Sequence, residues 1–502
     1  MAVDPVTLQV LVGGLHSICA EMGATLIRSA HSPNIKERQD CSTALFDAGG
    51  ELVMQAEHIP VHLGSMPDAV GAIRDEVQSP GDLWIINDPF RGGTHLPDIT
   101  LISPIFVERE LLGFAANRAH HADIGGPTPG GMPAFSTTLK EEGIVIGPTR
   151  VGDAELQALA ARMRNPTQRL ADLRAQRAAN LLGTRRLSEL SGRLGRELLN
   201  EGMDEVLDYS ERRTRAALSG IEDGVYEATD VLESGEVPAQ LRVAARVRGD
   251  QLELDFGGSS PQVDGNLNCP IPVTRSAALF AVRVLLDPDA PPSAGGHRPI
   301  SITAPRGSIL NANPGAAVAA GNVETSSRVA DLVLEALGRI LPAPAQGQGT
   351  MNNLTLSNDA FTYYETIAGG QGACADGRGP DAVHVAMSNT LNTPIEALES
   401  ELPVRVRELG LRRGSGGEGR HRGGDGVVRE IEALEPMAFT LITERRRYPP
   451  RGRDGGRDGA PGRNLLNGEP LESKARGSLR PGDRLRIETP GGGGLGRPEA
   501  QR

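Results

Sequence analysis

Apolar residues recur at spacings of three and four from Leu8 to about Arg28, which predicts an amphipathic helix at the start of the chain. A different period follows. Ser42 to Phe46 and Glu51 to Met54 read as strands joined by the tight turn Asp47-Ala-Gly-Gly50. Leu83 to Ile86, Ile99 to Val107 and Leu111 to Ala116 predict three more strands. Residues 153–219 are dense in Ala, Leu, Arg and Glu at helical spacing, as a helical insertion or hairpin would be. From about residue 222 the alternation of half-buried strands returns in Val225-Tyr-Glu-Ala, Leu241 to Val247 and Leu252 to Phe256. Helices are expected over Thr274–Leu286 and Ser326–Leu341, and short strands and turns in the Gly- and Arg-rich stretch after about residue 400. No repeat of fixed period is present.

These elements describe an α+β chain of several domains. Its regions are a mixed α/β segment at 1–150, a helical segment at 151–220, a β-rich segment with helices at 221–400 and a Gly/Arg-rich β segment at 401–502. The length of 502 residues agrees, because one hydrophobic core rarely grows so large.

Charge and cysteine usage narrow the function. Against 64 Asp+Glu stand 52 Lys+Arg, a net charge of −12, which argues against nucleic acid and anionic membranes as main partners. Only Lys36, Lys140 and Lys474 are lysines. The N-terminus has no basic stretch leading into an apolar run, and no window approaches eighteen uninterrupted apolar residues. The four cysteines, Cys19, Cys41, Cys269 and Cys374, are scattered, so neither a disulfide framework nor a Cys-rich zinc site is expected. A cytoplasmic protein with reduced thiols is the expectation.

Seven of the ten histidines precede residue 122, and two clusters stand out: Asp88 to Asp98, containing His95, and Asn117 to Asp123, containing His120 and His121. The first is a Gly/Pro loop between strands, so His95 and Asp98 project from one turn. His120 ends a later strand that the ladder can return beside that turn, and Asp40, at the start of a hairpin strand, can add a second carboxylate. Imidazoles with carboxylates suit zinc, manganese or iron. His121 and Asp123 read as partners that orient a ligand's other ring nitrogen. Glu142 is a candidate for acid–base work. Glu324 reads as a substrate-side carboxylate or, the simpler account, a residue at a helix N-terminus. Cys374, on a Gly-rich turn, lacks a visible partner base. The GxGxxG at Gly414–Gly419 has no strand–turn–helix around it, no phosphate-binding GxxxxGK[ST] occurs, and Gly491–Gly494 reads as a flexible turn.

Several long strings occur in fixed order: Asn34-Ile-Lys-Glu-Arg-Gln-Asp40-Cys-Ser, His58-Ile-Pro-Val-His62-Leu-Gly-Ser-Met66, Asn87 to Asp98, Asn117 to Gly126, Gly321-Asn-Val-Glu-Thr-Ser326, Gln348 to Asn353, Asn389 to Pro394, Gly414 to Gly424 and Thr489 to Gly496. Together they resemble the hydantoinase B/oxoprolinase family over essentially the whole chain. The resemblance implies a B-type subunit of an ATP-dependent enzyme that opens cyclic amides such as hydantoins, lactams or 5-oxoproline. It implies a hetero-oligomer with a hydantoinase A-type partner that binds the ATP. One divalent metal ion, zinc or manganese first and iron next, is then held by Asp40, His95, Asp98 and His120. Many relatives place a cysteine near Gly295-Gly296, which this chain lacks. A component of an acetone-type carboxylase and a non-catalytic structural subunit are the alternatives, and the sequence does not separate them.

Overall fold

The computed structural model describes residues 3–57, 59–62, 64–76 and 78–498. Its first helix, α1 (Pro5–Ser29), starts where Asp4 accepts the N–H groups of Val6 and Thr7 and Pro5 fills a first-turn position that needs no donor. By length and apolarity α1 could cross a membrane. Here it buries the stripe Leu8, Leu11, Leu15, Cys19, Met22 and Leu26 within the protein, the behaviour of a core helix. A short α2 (Pro33–Lys36) and a left-handed Gln39 then turn the chain into the first sheet.

That sheet has the order β2-β1-β5-β4-β3-β6. Its strands are β1 (Cys41–Asp47), β2 (Leu52–Glu57), β3 (Trp84–Ile86), β4 (Asp98–Val107), β5 (Glu110–His120) and β6 (Thr149–Arg150), all antiparallel to their neighbours. Both faces are covered. Ala44, Phe46, Ile102 and Phe114 pack against α3 (Met66–Gly71) and its flanks. Leu45, Ala115 and Ala119 face a helical layer of α1, α5 (Pro166–Leu194) and α6 (Arg196–Leu218), with α4 (Asp153–Ala160) leading into it. Thus the 151–220 segment shares its core with the first sheet. Gly183 permits this close approach: a Cβ there would stand 2.4 Å from the Met22 sulfur. A buried amide network also ties α5 to the sheet, with Asn117 donating to Asn180 and Gln176 donating to Asn117 and to the Ile99 carbonyl.

The β4–β5 hairpin turns through Glu108 and Arg109, both left-handed, with Val107 opposite Glu110. A β-bulge between Ile105 and Phe106 on one strand and Leu111 and Gly113 on the other then shifts the pairing by one, so Asp98 stands opposite His120.

A second sheet, β10-β9-β8-β7, comprises β7 (Gly224–Leu232), β8 (Ala239–Arg248), β9 (Gln251–Asp255) and β10 (Ile300–Thr303), the last parallel to β9. It shares a core with α7 (Ile271–Leu286) and α8 (Ser326–Leu337). Two further antiparallel sheets, of four and five strands, use residues 353–365 and 404–488.

Between these sheets lies a region built almost wholly of backbone. Gly491–Gly494 are buried, not a flexible turn. A Cβ on Gly491 would stand 2.0 Å from the Ser415 carbonyl oxygen, on Gly492 2.0 Å from Gln371, on Gly493 2.1 Å from Arg451 and on Gly494 2.3 Å from Glu418. The first and fourth face one neighbouring segment and the middle two face two others. This is the threefold period of a polyproline II-like strand. Its N–H groups donate sideways: Gly491 to Ala460, Gly492 to Gly424, Gly493 to Gln346 and Gly494 to Arg457. Gly416, Gly417 and Gly419 of the GxGxxG string belong to the same bundle.

Candidate metal centre

Strand pairing brings the candidate ligands together. At one end of the first sheet Asp98 pairs with His120, and the His120 N–H donates to the Asp40 carbonyl at the entry to β1. His95 arrives from the turn just before β4, where the Asp98 N–H closes on its carbonyl. Asp40, His95, Asp98 and His120 line one small cavity with His62, Asn322, Tyr364, Thr366, Ser388 and Thr390. All four are buried.

Three donor atoms form a near-equilateral triangle. His95 Nε2 lies 3.0 Å from Asp98 Oδ1, His120 Nδ1 lies 3.1 Å from the same oxygen, and the two nitrogens are 3.2 Å apart. Ligands bound at about 2.0–2.2 Å lie roughly 2.9–3.5 Å apart on a face of an octahedron or tetrahedron. The triangle therefore fits a metal ion, and the mixed N/O set suits zinc, manganese or iron. Asp98 is fixed for this by its other oxygen, which accepts from Thr94 Oγ1 at 2.6 Å and lies 3.4 Å from His62 Nε2. His62 is oriented in turn by Ser42 Oγ, 3.0 Å from its Nδ1.

The electrostatics agree. Burial alone would raise the Asp98 carboxyl, but the neighbouring imidazoles outweigh it and hold the group well below the usual range. Asp40 is pushed up to about 7, by burial first and then by the negative charge of Asp98. Burial lowers His120 to about 4, against the pull of Asp98. A cation among these groups would relieve the repulsion between the carboxylates and use neutral imidazole.

The other expected residues sit differently. His121 Nε2 is 2.9 Å from Gln176 Oε1 on α5, so the hydrogen bond it makes is to the helical layer. Asp123 accepts from the N–H groups of Gly125 and Gly130 and pairs with Arg164 at 3.0 Å, the pattern of a turn organiser. Glu142 is fully buried and accepts from Ser136 Oγ and the N–H groups of Val318 and Ala319. Burial raises it to about 7. It anchors the segment that leads into the π-turn Gly321–Thr325, whose Asn322 and Val323 wall the cavity.

Glu324 is not at a helix N-terminus but inside that π-turn, buried, accepting from Asn353 at 2.8 Å. Burial, then the charge of Glu444, raises it to about 8. Asn353 also accepts from the hydroxyl of Tyr364, whose ring stacks on His120 with centroids 4.6 Å apart. Cys374 is half-buried and touches only the Gly377 carbonyl, without a base beside it. His58 lies outside the described residues. Sequence patterns do not single out His62, Tyr364 or the threonines as site residues. His62 carries a signal, as a second histidine in the string from His58 to Met66, but the aromatic and hydroxyl residues reach the cavity only through tertiary packing.

The comparisons with known proteins agree with this geometry. The hydantoinase B/oxoprolinase family profile matches residues 4–498. The 5-oxoprolinase of Dictyostelium discoideum is 38% identical over 99% of this chain, which spans only 41% of that protein's length. A putative B-type subunit of a D-/L-hydantoinase from a Pseudomonas species is 31% identical, with 99% of this chain and 90% of that protein covered. The crystal structure of the ATP-dependent caprolactamase from Pseudomonas jessenii superposes with a TM-score of 0.92 at 28% identity, covering 99% of this chain and 92% of that one. With a family match across nearly its full length and a fold shared to that degree, the chain belongs to the hydantoinase B/oxoprolinase family.

Proposed function

We propose that this chain is the metal-binding, B-type component of a cytoplasmic ATP-dependent enzyme that hydrolyses a cyclic amide, working with an A-type ATP-binding partner. The observation that carries the reading is the buried triangle of His95 Nε2, Asp98 Oδ1 and His120 Nδ1. The relatives supply the reaction class: one is named an oxoprolinase, one a hydantoinase subunit and one an ATP-dependent caprolactamase. An unactivated amide is a poor electrophile, so ATP serves to convert its carbonyl oxygen into a phosphorylated leaving group. The 5-oxoprolinase is more than twice this chain's length, whereas the hydantoinase subunit is close to it, which supports a separate partner here.

His95, Asp98 and His120 would hold the ion, with Asp40 completing the set. A bound zinc, manganese or iron would supply Lewis acidity and a water of lowered pKa. The protein's own groups do the rest. Thr94 and His62 fix the Asp98 carboxylate so that Oδ1 faces the two imidazoles. Tyr364 holds the His120 ring by stacking, and its hydroxyl is locked by Asn353. The apolar walls Ile59, Val61, Val323, Met351 and Met387 limit the water that can reach the reacting carbon. His121 and Asp123 position the loop and strand end that carry His120, and Glu142 positions the cavity wall.

The test is a substrate screen of the chain co-expressed with its partner, with metal content measured on the same preparation. Expected are about one divalent ion per chain and ATP-dependent ring opening of a hydantoin, lactam or 5-oxoproline. A chain that carries no metal, or that hydrolyses ATP robustly without a partner, overturns the assignment.

A further inference from the structure

Arginine is expensive to bury, and the chain buries five guanidinium groups almost completely: Arg38, Arg118, Arg169, Arg328 and Arg445. Four are accounted for. Arg169, Arg328 and Arg445 pair with Asp172, with Asp230 and Glu444, and with Asp230 and Asp331. Arg118 has no carboxylate partner, but each of its three nitrogens donates to an oxygen: Thr100 Oγ1, Ser65 Oγ and the Gly92 carbonyl. Arg38 has neither arrangement. Among the described residues it makes no ion pair, and only one of its nitrogens is used, donating to Thr366 Oγ1 at 2.5 Å, the Thr366 carbonyl at 3.2 Å and Thr390 Oγ1 at 2.8 Å. Its Nε and second terminal nitrogen are buried with no partner.

The partners it does have wall the metal cavity. Thr366, Ser388 and Thr390 line the same cavity as Asp40, His95, Asp98 and His120. A hydroxyl oxygen that accepts from a guanidinium must send its own proton elsewhere. Thr366 and Thr390 lie 2.7 Å apart and can share only one such proton between them. The other is left for His384 Nε2, 3.3 Å from Thr390 Oγ1, or for the cavity. His384 is itself tied through Nδ1 to Ser388 Oγ at 2.6 Å. The wall is thus a set of hydroxyl donors polarised by a buried cation whose remaining donors are unused.

We propose that Arg38, with the Thr366 and Thr390 hydroxyls it polarises, is an oxyanion receptor for the ligand that enters the cavity. The group it takes is tetrahedral or planar with several anionic oxygens: the phosphoryl of an activated amide, or the carboxylate of a substrate or ring-opened product. Guanidinium recognition of either is charge-assisted and directional, and in a buried site it supplies the counter-charge that Arg38 lacks. The biological identity of the ligand rests on the function proposed above. The receptor itself does not.

The experiment is calorimetric titration of the full-length chain, stripped of metal, with inorganic phosphate and separately with acetate, alongside metal content of the untreated protein. Wild type is expected to bind at least one of the two anions, and Arg38→Gln to weaken that binding at least tenfold, with Arg38→Lys retaining part of it. Thr366→Val and Thr390→Val keep the side-chain shape and are expected to weaken it as well; they decide the question should Arg38→Gln fail to fold. Preference for phosphate assigns the phosphoryl source, and preference for acetate the carboxylate. Failure of the stripped wild-type chain to bind either anion, or equal affinity in wild type and folded variants, overturns the receptor. A chain that binds anion through Arg38 but holds no metal keeps the receptor and removes the proposed function. One that holds metal but binds no anion does the reverse.

Discussion

The metal cavity and the glycine bundle are both buried and polar, yet they treat their polar atoms in opposite ways. In the bundle Gly491 to Gly494 contribute backbone alone, and each N–H finds a carbonyl on a neighbouring segment. In the cavity the polar atoms belong to side chains, and several are left over: Nδ1 of His95, Nε2 of His120 and two nitrogens of Arg38. Leaving a buried polar atom unpaired costs about 1–3 kcal/mol, more when it is charged. A fold that satisfies one buried region so fully and leaves another open marks the open one as the place where a ligand completes the bonding.

Breaking the bundle should have the largest effect on the molecule. Gly492→Ala puts a Cβ 2.0 Å from a carbonyl oxygen of the backbone, which cannot rotate away. A loss of about 4 kcal/mol or more is expected, read as collapse of the thermal transition. Gly410→Ala, where nothing lies within 4 Å of the added atom, should leave that transition nearly unmoved. If both variants melt like wild type, the bundle is not a rigid element.

Breaking the cavity should do the reverse and spare the fold. His95→Ala and His120→Ala each remove one corner of the triangle, and each should strip most of the metal. Turnover of the assembled enzyme should fall beyond the roughly 10–100-fold typical of losing a residue that merely supports a ligand. Retention of full metal occupancy in both variants would require a different ligand set.

A smaller change sharpens the contrast within the cavity. Asp40→Asn keeps the shape and supplies a neutral oxygen, so the variant should melt normally while metal affinity or turnover drops roughly 10–100-fold. Unchanged metal and turnover would make Asp40 a strand-entry residue only.

The smallest effect is a gradual one and concerns Glu142, which packs against backbone donors beside the cavity. Its folded-state value of about 7 lies above the ordinary 4.5, so its contribution to stability is fully present below about pH 4.5 and is lost as pH rises through 7. Glu142→Gln retains an acceptor for Val318 and Ala319 and removes the titration. The variant should gain on wild type by about 1 kcal/mol for each pH unit between roughly 5 and 7. Parallel melting curves across that range would show that the carboxyl is not buried among those donors.

Much of the α+β architecture was legible because its signals are local. The stripe of α1, the two-faced strands and the helices at 274 and 326 depend on spacing within one element. His95 and Asp98 were legible together because one Gly/Pro turn holds both. Less could be read where the outcome depends on distant chain. Gly491–Gly494 look like a flexible turn until Ser415, Gln371 and Arg451 are laid against them. Glu324 looks like a cap because the sequence does not announce a π-turn, and His121 gives no hint that Gln176 of α5 receives it. Arg38 was visible only as part of a string. Its significance lies in partners more than 300 residues away, and in those it lacks.

The β4–β5 bulge bears on how this site can change in descent. Counted back from the Glu108–Arg109 turn in regular register, Asp98 would face Ala119, and His120 would point to the helical side of the sheet. The one extra residue near Leu112 restores the phase. Shortening the hairpin there by one residue can therefore be absorbed by losing the bulge, with Asp98 and His120 still paired. The same deletion between Gly113 and Ala119 has no bulge to consume and exchanges the faces of everything beyond it. Length variation among related chains should accordingly gather on the turn side of Gly113 and stop short of the stretch that delivers His120.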